Sequence, residues 1–317
     1  MPFYRCMPPA GSGGGGGGDT VNPDDYISFL DYNNNVVYPE LEQGYIIWNN
    51  GIREEKSNIL NTGRIFNNKP TDYTLRIGKN VYGCTQLLNK QAFNGPIIIE
   101  NGCVSIHSLC CNSKYFNHPI NIPPSVNNCT LTFGYTNQFN SRVIFPPNTV
   151  STYSKADRMF ENSSIFNQPI IFPKGCANLY DTFSYADNFN QPVVIQTTNV
   201  NLYYTFMCNA GASSFASNII FTADTSNYNN RYISLGQPFY NKNAQKKINI
   251  YASNLIPFTA SNVKWVTSTA LTWTAITNGY YNAAQNIYLY NNVNDALNWF
   301  NNYWHDKYGE YPVYAEQ

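Results

Sequence analysis

Carboxylates that could act as a general acid and a general base are sparse in the central part of this chain. Asp181 and Asp187 are one pair to consider, because glycoside hydrolysis uses two carboxylates in these roles. Both lie in a polar stretch, and we expect them to be solvated rather than catalytic. The other carboxylates of the region recur at no common position: Glu100, Asp157 and Glu161.

Established catalytic motifs do not occur in the sequence. There is no GxSxG, no HExxH and no P-loop, and the N-terminal glycine tract lacks the Lys-Ser/Thr pair and the helix that a phosphate-binding loop needs. We therefore expect no catalytic residues and no cofactor. The sequence predicts a protein that is not an enzyme.

Eight cysteines and three histidines are candidates for disulfides or a metal site. The histidines show no ligand spacing: His107, His118 and His305. Cys103 and Cys176 each stand ten residues after an equivalent Phe, where Val126 stands in another copy of the same pattern. Interchange with an apolar residue is typical of a buried thiol. We predict free thiols in the core and no metal.

A recurring Phe-Asn pair sets the period of the chain. Successive Phe are 27, 23, 23, 27 and 23 residues apart, starting from Phe66-Asn67. The next five copies supply one set of Phe and one of Asn: Phe93, Phe116, Phe139, Phe166 and Phe189, followed by Asn94, Asn117, Asn140, Asn167 and Asn190. A last restart, Phe215, comes 26 residues later without the Asn. A fixed period of this length predicts a solenoid.

A short β-branched run bounded by proline follows each Phe and predicts one strand per coil. The runs are residues 97–99, 120–122, 143–145, 170–172, 193–195 and 219–221. Such strands stack in parallel about 4.8 Å apart, with the outer two residues of each run facing the core. The middle residues then face outward: Ile98, Asn121, Ile144, Ile171, Val194 and Ile220.

Stacking also aligns the aromatic residues into columns. The Phe of each pair forms one column, and a second column lies six residues before the next Phe: Leu87, Cys110, Phe133, Phe160 and Phe183. A single coil cannot bury these rings, whereas a stack can. We expect each Asn to turn the chain and bond the backbone of its neighbour, and a short helical or irregular arc to return on the convex side.

The copy that begins at Phe166 resembles the BspA-type leucine-rich repeat. The matching positions are Ile170, Phe172, Pro173, Cys176, Leu179 and Phe183. The FNQP opening is similar to repeats of some mycoplasma and gut-bacterial surface proteins. The resemblance covers roughly residues 60–225. It implies a β-rich solenoid of about six 23–27-residue coils with short convex helical arcs and terminal caps, a scaffold used generically for binding or spacing.

Composition limits the partners and the location that we expect. Net charge is zero with 12% charged residues, which argues against a nucleic-acid surface. No run of 18 apolar residues occurs, so no membrane insertion is expected. The N-terminus has no apolar signal region, and Cys6 lacks a lipoprotein context. A bacteriophage virion, built in the host cytoplasm and released by lysis, fits these features. A bacterial cell surface is the alternative.

Four segments follow along the chain. Residues 1–18 read as a flexible Gly-rich tether carrying an anchor peptide, Phe3-Tyr4-Arg5, with a tail of no role as the alternative. Residues 19–58 predict a capping hairpin, similar to a segment ahead of such repeats in proteins of phages that infect gut Firmicutes. Residues 59–223 are the solenoid. Residues 224–317 are an irregular continuation with a helix at about 294–305 that closes the last coil.

The leading functional hypothesis is a non-enzymatic virion module for adhesion or decoration. Its expected partners are other virion proteins, sister copies, and a host-surface glycan or protein. The alternatives are a purely architectural virion subunit and a bacterial surface adhesin. An aliphatic stripe on the outer face predicts a protein interface: Ile98, Ile144, Ile171, Val194 and Ile220. The other reading of this stripe is that an N- or C-terminal segment folds across it.

Overall fold

The structure is a computed structural model of the 317-residue chain. It describes residue 24 and residues 27–30, 36–37, 41–48, 53–60, 74–89, 93–146, 154–197, 199–208, 215–223, 233–234, 236–240, 246–259, 265 and 271–314. The predicted tether, its Phe3-Tyr4-Arg5 peptide and the Phe66-Asn67 pair lie outside the described residues.

Antiparallel strands precede the parallel part of the described chain. Strand β1 (Ile27–Leu30) pairs with β2 (Val36–Val37), which is the predicted hairpin, and also with β5 (Thr74–Ile77). Strand β3 (Leu41–Trp48) lies between β4 (Arg53–Leu60) and β6 (Val81–Thr85). The sequence did not predict β4, because its charged residues resemble a solvated loop rather than a strand.

Parallel strands form at the predicted runs. They are β7 (Ile97–Ile99), β8 (Ile120–Asn121), β9 (Val143–Ile144), β11 (Ile170–Phe172), β13 (Val193–Ile195) and β15 (Asn218–Phe221). Ile170 pairs with Val193 and Val193 with Ile219, so the register follows the repeat. The large sheet runs from β11 through β13 and β15 into two further parallel strands, β17 (Ile248–Tyr251) and β20 (Ile287–Tyr290). Strand β7 pairs with β5, and β8 pairs with β9, in separate smaller sheets. The described chain is mainly β-strand, and its large parallel sheet is compatible with a β-rich solenoid.

A second parallel sheet runs beside the first. It contains β10 (Ser154–Lys155), β12 (Cys176–Asn178), β14 (Val200–Asn201) and β16 (Ile233–Ser234). Single bridges from Gly83 through Ser105 and Asn128 to Lys155 connect it to β6. The prediction of one strand per copy is therefore wrong. These strands are only two or three residues long, which is too short for an alternation that a sequence pattern could reveal.

Two interleaved columns of Phe rings fill the core. Ring centroids in the column of Phe116, Phe139, Phe166, Phe189 and Phe215 are 5.6–5.8 Å apart. The second column, Phe133, Phe160, Phe183, Phe206 and Phe239, has centroids 5.3–5.7 Å apart. Rings of the two columns approach to 4.0–4.4 Å within each copy. The outer residues of the strands pack around these columns, as the alternation predicts.

The returning arcs of the described copies are irregular, which is one of the two forms that the sequence left open, and they are not the helical arcs that the resemblance implies. Residues in the left-handed region recur at two positions of the repeat, four residues apart. The first position holds Ser108, Leu131, Arg158, Asp181 and Tyr204, and the second holds Asn112, Tyr135, Asn162 and Tyr185. Successive backbone N–H groups of an arc alternate between an acceptor in the same copy and an acceptor in the next copy. Met159 N donates to Ala156 O within the copy, whereas Phe160 N donates to Thr182 O of the next copy at 2.9 Å. Each left-handed non-glycine residue costs on the order of 1 kcal/mol, and these inter-copy bonds offset that cost.

The C-terminal elements differ most from the sequence-based expectation. A hairpin of β18 (Thr274–Ile276) and β19 (Gly279–Asn282) extends the sheet antiparallel to β20. Helix α1 (Ile256–Thr259) is short, and helix α2 (Val293–Tyr308) is the predicted C-terminal helix. Its predicted place at the end of the stack is wrong, because α2 lies on the outer face of the large sheet. Of the strand predicted at 263–266, the structure describes Trp265, which is buried in a bend.

Candidate functional site

The outer face of the parallel strands β7 to β15 is only partly open to solvent. Ile98 is 43% exposed and Asn121 is exposed, whereas Ile144 and Ile171 are partly buried. Val194 and Ile220 are fully buried. The predicted continuous stripe is therefore wrong for Val194 and Ile220.

Helix α2 causes this burial. Ala296, Phe300 and Trp304 form a buried cluster with Val194 and Ile220, and Ile171 packs at its margin. Residues four apart lie on one face of a helix, about 6 Å along its axis, close to the spacing of neighbouring strands. A helix that crosses the strands can thus place about one residue over each of them. The alternative left open by the sequence, a C-terminal segment across the stripe, is the arrangement found.

Two glutamines of the sheet bind tyrosines of the helix. The Tyr308 hydroxyl donates to Gln168 Oε1 at 2.9 Å, and the Tyr303 hydroxyl donates to Gln191 Oε1. These are the Gln residues of the two FNQP copies, and no other copy has Gln at this position. The sequence thus contained a signal for the docked helix that the repeat analysis missed.

Arg142 holds the chain at the C-terminal end of the helix. Its Nη1 lies 2.6 Å from Glu310 Oε1, and its guanidinium carbon lies 4.8 Å from the Tyr308 ring centroid. Burial raises the pKa of Tyr308, partly opposed by Arg142, so this hydroxyl stays a donor near neutral pH. The helix therefore extends from the strand of Tyr251 back to the strand that follows Arg142.

The Asn of each pair forms the predicted ladder along the edge of the sheet. Each side-chain oxygen accepts the backbone N–H of the equivalent residue in the next copy, at 2.6–2.9 Å. The acceptors are Asn94, Asn117, Asn140, Asn167 and Asn190, and the last donor is Ala216. This geometry assigns the ladder residues a structural role.

The carboxylates of the arcs lie beside one cation. Arg158 Nε is 3.7 Å from Asp181 Oδ2 and 4.0 Å from Glu161 Oε2. Asp181 is 6% exposed, so the expectation that it is solvated is wrong, because the stacked arcs pack against its side chain. Burial, and then the charge of Glu161, raise the pKa of Asp181 to about 6. No hydrogen bond or ion pair joins Asp181 to Asp187 among the described contacts.

Asp181→Asn tests the energetic effect of this buried carboxyl. Its pKa is about 6 in the fold against an ordinary 3.8, so the folded state binds more protons between these values. The carboxyl therefore lowers stability as pH rises from about 4 to above 6. We expect the variant to gain about 1–2 kcal/mol at pH 7, since loss of the Arg158 contact offsets part of the benefit, and nothing at pH 4. Denaturant titrations at both pH values measure this, and an equal effect at the two pH values contradicts it.

The described cysteines are structural. All seven are buried and form no disulfide: Cys84, Cys103, Cys110, Cys111, Cys129, Cys176 and Cys208. Burial raises the pKa of Cys176 to about 12 and that of Cys110 well above its ordinary value, which makes both thiols unreactive. No three His, Cys, Asp or Glu side chains in the described part of the chain could hold a metal ion.

A recess lies where the first turns of α2 meet the outer face of the sheet. It encloses about 250 Å³ and is lined by Asn218, Tyr251, Asn292, Asp295, Ala296 and Trp299. A second recess of about 370 Å³ adjoins it and shares Asn292 and Asp295. Sequence reasoning missed these residues, because they come from three separate segments that only the docked helix brings together.

Comparisons of the chain with protein-family models, with curated proteins and with solved structures found no match. Within the described ranges, no helix has the length and apolar character required to cross a membrane.

Proposed function

We propose that this chain is a BspA-type solenoid that serves as a non-enzymatic adhesion or decoration module of a bacteriophage particle, attached through its N-terminal tether. The observation that carries the solenoid part is the Asn ladder, which repeats the same hydrogen bond over five consecutive steps. The two aromatic columns and the two sets of parallel strands follow the same sequence period as the ladder. A solenoid, in which each coil contacts its neighbours, accounts for this common period.

Rigidity along the stack supports the adhesion role. Bonds between coils occur on both sheets and in the arcs, so the coils are connected around the whole circumference in the described copies. Such a scaffold holds side chains of its surface at fixed spacing, which lowers the entropic cost of binding an extended partner. A long glycine tract before the stack would let it turn toward a host surface while its anchor peptide stays bound.

The outer face favours adhesion over the purely architectural alternative. An architectural subunit would bury this face against neighbouring virion proteins or sister copies, but helix α2 already covers Val194 and Ile220. The open apolar positions of the predicted stripe are Ile98 and, in part, Ile144 and Ile171. That area is small for a permanent interface, which typically buries about 800 Å² on each partner.

Two measurements test the proposed function. Purified particles from a producing strain should contain the chain, and a C-terminal epitope should bind antibody at the particle periphery. Soluble full-length chain, added before infection, should reduce adsorption of the particle to its host at least tenfold, whereas heat-unfolded chain should not. Absence from purified particles, or no effect on adsorption, contradicts the proposal. Detection on bacteria that carry no phage would favour the bacterial adhesin.

Deletion of residues 1–18 tests the tether. We expect the melting temperature to stay within about 1 °C, because a glycine tract provides no packing continuity with the fold. Incorporation into the particle should fall at least tenfold. A variant that lacks only residues 13–18 keeps the Phe3-Tyr4-Arg5 peptide and should still be incorporated. Normal assembly of the longer deletion would show that the segment is a tail without an anchoring role.

A further inference from the structure

Two aromatic side chains from different elements form the walls of the recess beside helix α2. Tyr251 comes from β17 and stacks on Tyr290, with ring centroids 5.3 Å apart. Trp299 comes from α2, stacks on Tyr303 at 5.4 Å and is 43% exposed. Tyr251 and Trp299 each have a stacking partner that fixes the ring, and both line the recess. An exposed Trp held in this way costs little entropy when a ligand binds it.

The polar groups of the recess are neutral or acidic. Asn218 and Asn292 supply side-chain amides, and Asp295 supplies a carboxylate. The Asn218 oxygen already accepts from Asn249 Nδ2 at 2.8 Å, so Asn218 offers the recess its amide N–H groups. Asn292 Nδ2 donates to Asp295 Oδ2 at 3.1 Å, while Asn292 Oδ1 is buried and has no partner in the described part of the chain. No Lys or Arg is among the described residues that line either recess. This composition disfavours an anion and favours a neutral ligand with many hydroxyls.

A sugar ring has the matching chemistry. Its C–H faces pack on aromatic rings, and its hydroxyls both donate to carboxylate or amide oxygens and accept from amide N–H groups. A shallow site with an aromatic wall and a few convergent polar groups suits such a ligand. The adjoining recess of about 370 Å³ continues the same surface with Ser253, Asn291 and Asn294, so a second sugar unit can occupy it.

We propose that the two recesses form a binding site for a neutral saccharide chain, with Trp299 as its stacking platform. This inference rests on the proposed adhesion function and names the receptor class as a neutral host-surface glycan. The predicted stripe consists of aliphatic residues, whereas the recesses have Tyr251 and Trp299, so the glycan site lies at the C-terminal end of the sheet rather than along that stripe.

Saturation-transfer NMR of the full chain with methyl glycosides tests the site. The probes are the methyl glycosides of glucose, galactose, mannose and N-acetylglucosamine, with methyl glucuronide as the anionic comparison. We expect at least one neutral glycoside to bind with a Kd on the order of 1 mM and the glucuronide to bind at least tenfold more weakly. The indole N–H signal of Trp299, assigned with Trp299→Phe, should shift in the same titration, which requires no destabilising variant.

Trp299→Ala should weaken binding at least tenfold, while Tyr311→Ala should leave it unchanged. Tyr311 is a matched control, because it is an exposed aromatic residue of the same C-terminal segment, 63% exposed, that does not line the recesses. Binding of no neutral glycoside, an unshifted Trp299 signal, or equal binding by Trp299→Ala overturns the inference.

The adsorption assay separates this inference from the function on which it rests. If wild-type chain blocks adsorption and Trp299→Ala blocks it equally well, the adhesion function stands and the glycan site fails. If wild-type chain binds a glycoside through Trp299 but never affects adsorption, the site stands and the proposed function fails.

Discussion

Phe166→Ala should lower the free energy of unfolding by about 3–5 kcal/mol, the usual cost of truncating a buried aromatic residue. The Phe166 ring is fully buried and stacks on four others, with centroids 4.0 Å from Phe160 and 5.7–5.8 Å from Phe139 and Phe189. Its fourth neighbour is Phe183 at 6.3 Å. Each ring stack is worth about 0.5–1.5 kcal/mol beyond area burial. The parallel strands hold the neighbouring rings in place, so these rings cannot move in to fill the cavity that the substitution leaves.

Asn167→Ala and Tyr115→Ala calibrate this result. Asn167 Oδ1 accepts the N–H of Asn190 at 2.9 Å, so its loss should cost about 1–2 kcal/mol. Tyr115 is 56% exposed, and its truncation should cost less than about 0.5 kcal/mol. Chemical denaturation, together with amide exchange in residues 160–190 in case repeats unfold separately, measures all three. Stability within about 0.5 kcal/mol of wild type for Phe166→Ala would contradict the stacked-repeat fold.

Val194→Lys should release helix α2 from the sheet. The substitution places a charge where Phe300 and Trp304 now cover the face, and an unpaired buried ammonium costs several kcal/mol. Undocking lets the lysine reach water, so the cost is limited to the docking energy of the helix. We expect amide protection of residues 293–308 to fall at least a hundredfold while the Phe columns remain protected. Trypsin should then cleave after Lys307 much faster than in the wild type.

Ile98→Lys is the matched control for this prediction. Ile98 occupies the same position of its strand as Val194 but lies outside the area that α2 covers. The charge stays in solvent there, and we expect a change of less than about 0.5 kcal/mol. Equal behaviour of the two lysine variants would mean that α2 does not cover the sheet in solution.

The sequence repeat made the strands at the β-branched runs, the Phe columns and the Asn ladder predictable. A constant displacement from one copy to the next places equivalent residues above one another. Fold features without a recognisable sequence pattern were harder to predict. The second parallel sheet consists of strands of two or three residues, and the arcs use left-handed residues that are not glycine, such as Asp181 and Tyr204.

The candidate site was less predictable than the fold. The 3.6-residue period of Phe300 and Trp304 indicated a helix, but an apolar helix face can pack on either an end or a side of a stack. The hydrogen bonds from the helix tyrosines to Gln168 and Gln191 place the helix on the side of the stack. The recess needs Tyr251 and Trp299 together, and no spacing in the sequence connects them.

Helix α2 divides the molecule into two mechanical regions. Strands from β9 to β17 are bridged by one continuous element, fixed at Arg142 and at Tyr251, in parallel with their own ladders. Strands β5, β7 and β8 lie outside the area that the described part of α2 covers and are held by bonds between neighbouring copies, such as the Asn94 and Asn117 ladder bonds and the Arg76–Glu100 ion pair. A pulling force applied along the stack would therefore extend the N-terminal repeats first, and the C-terminal half would stay intact under loads that open the other half.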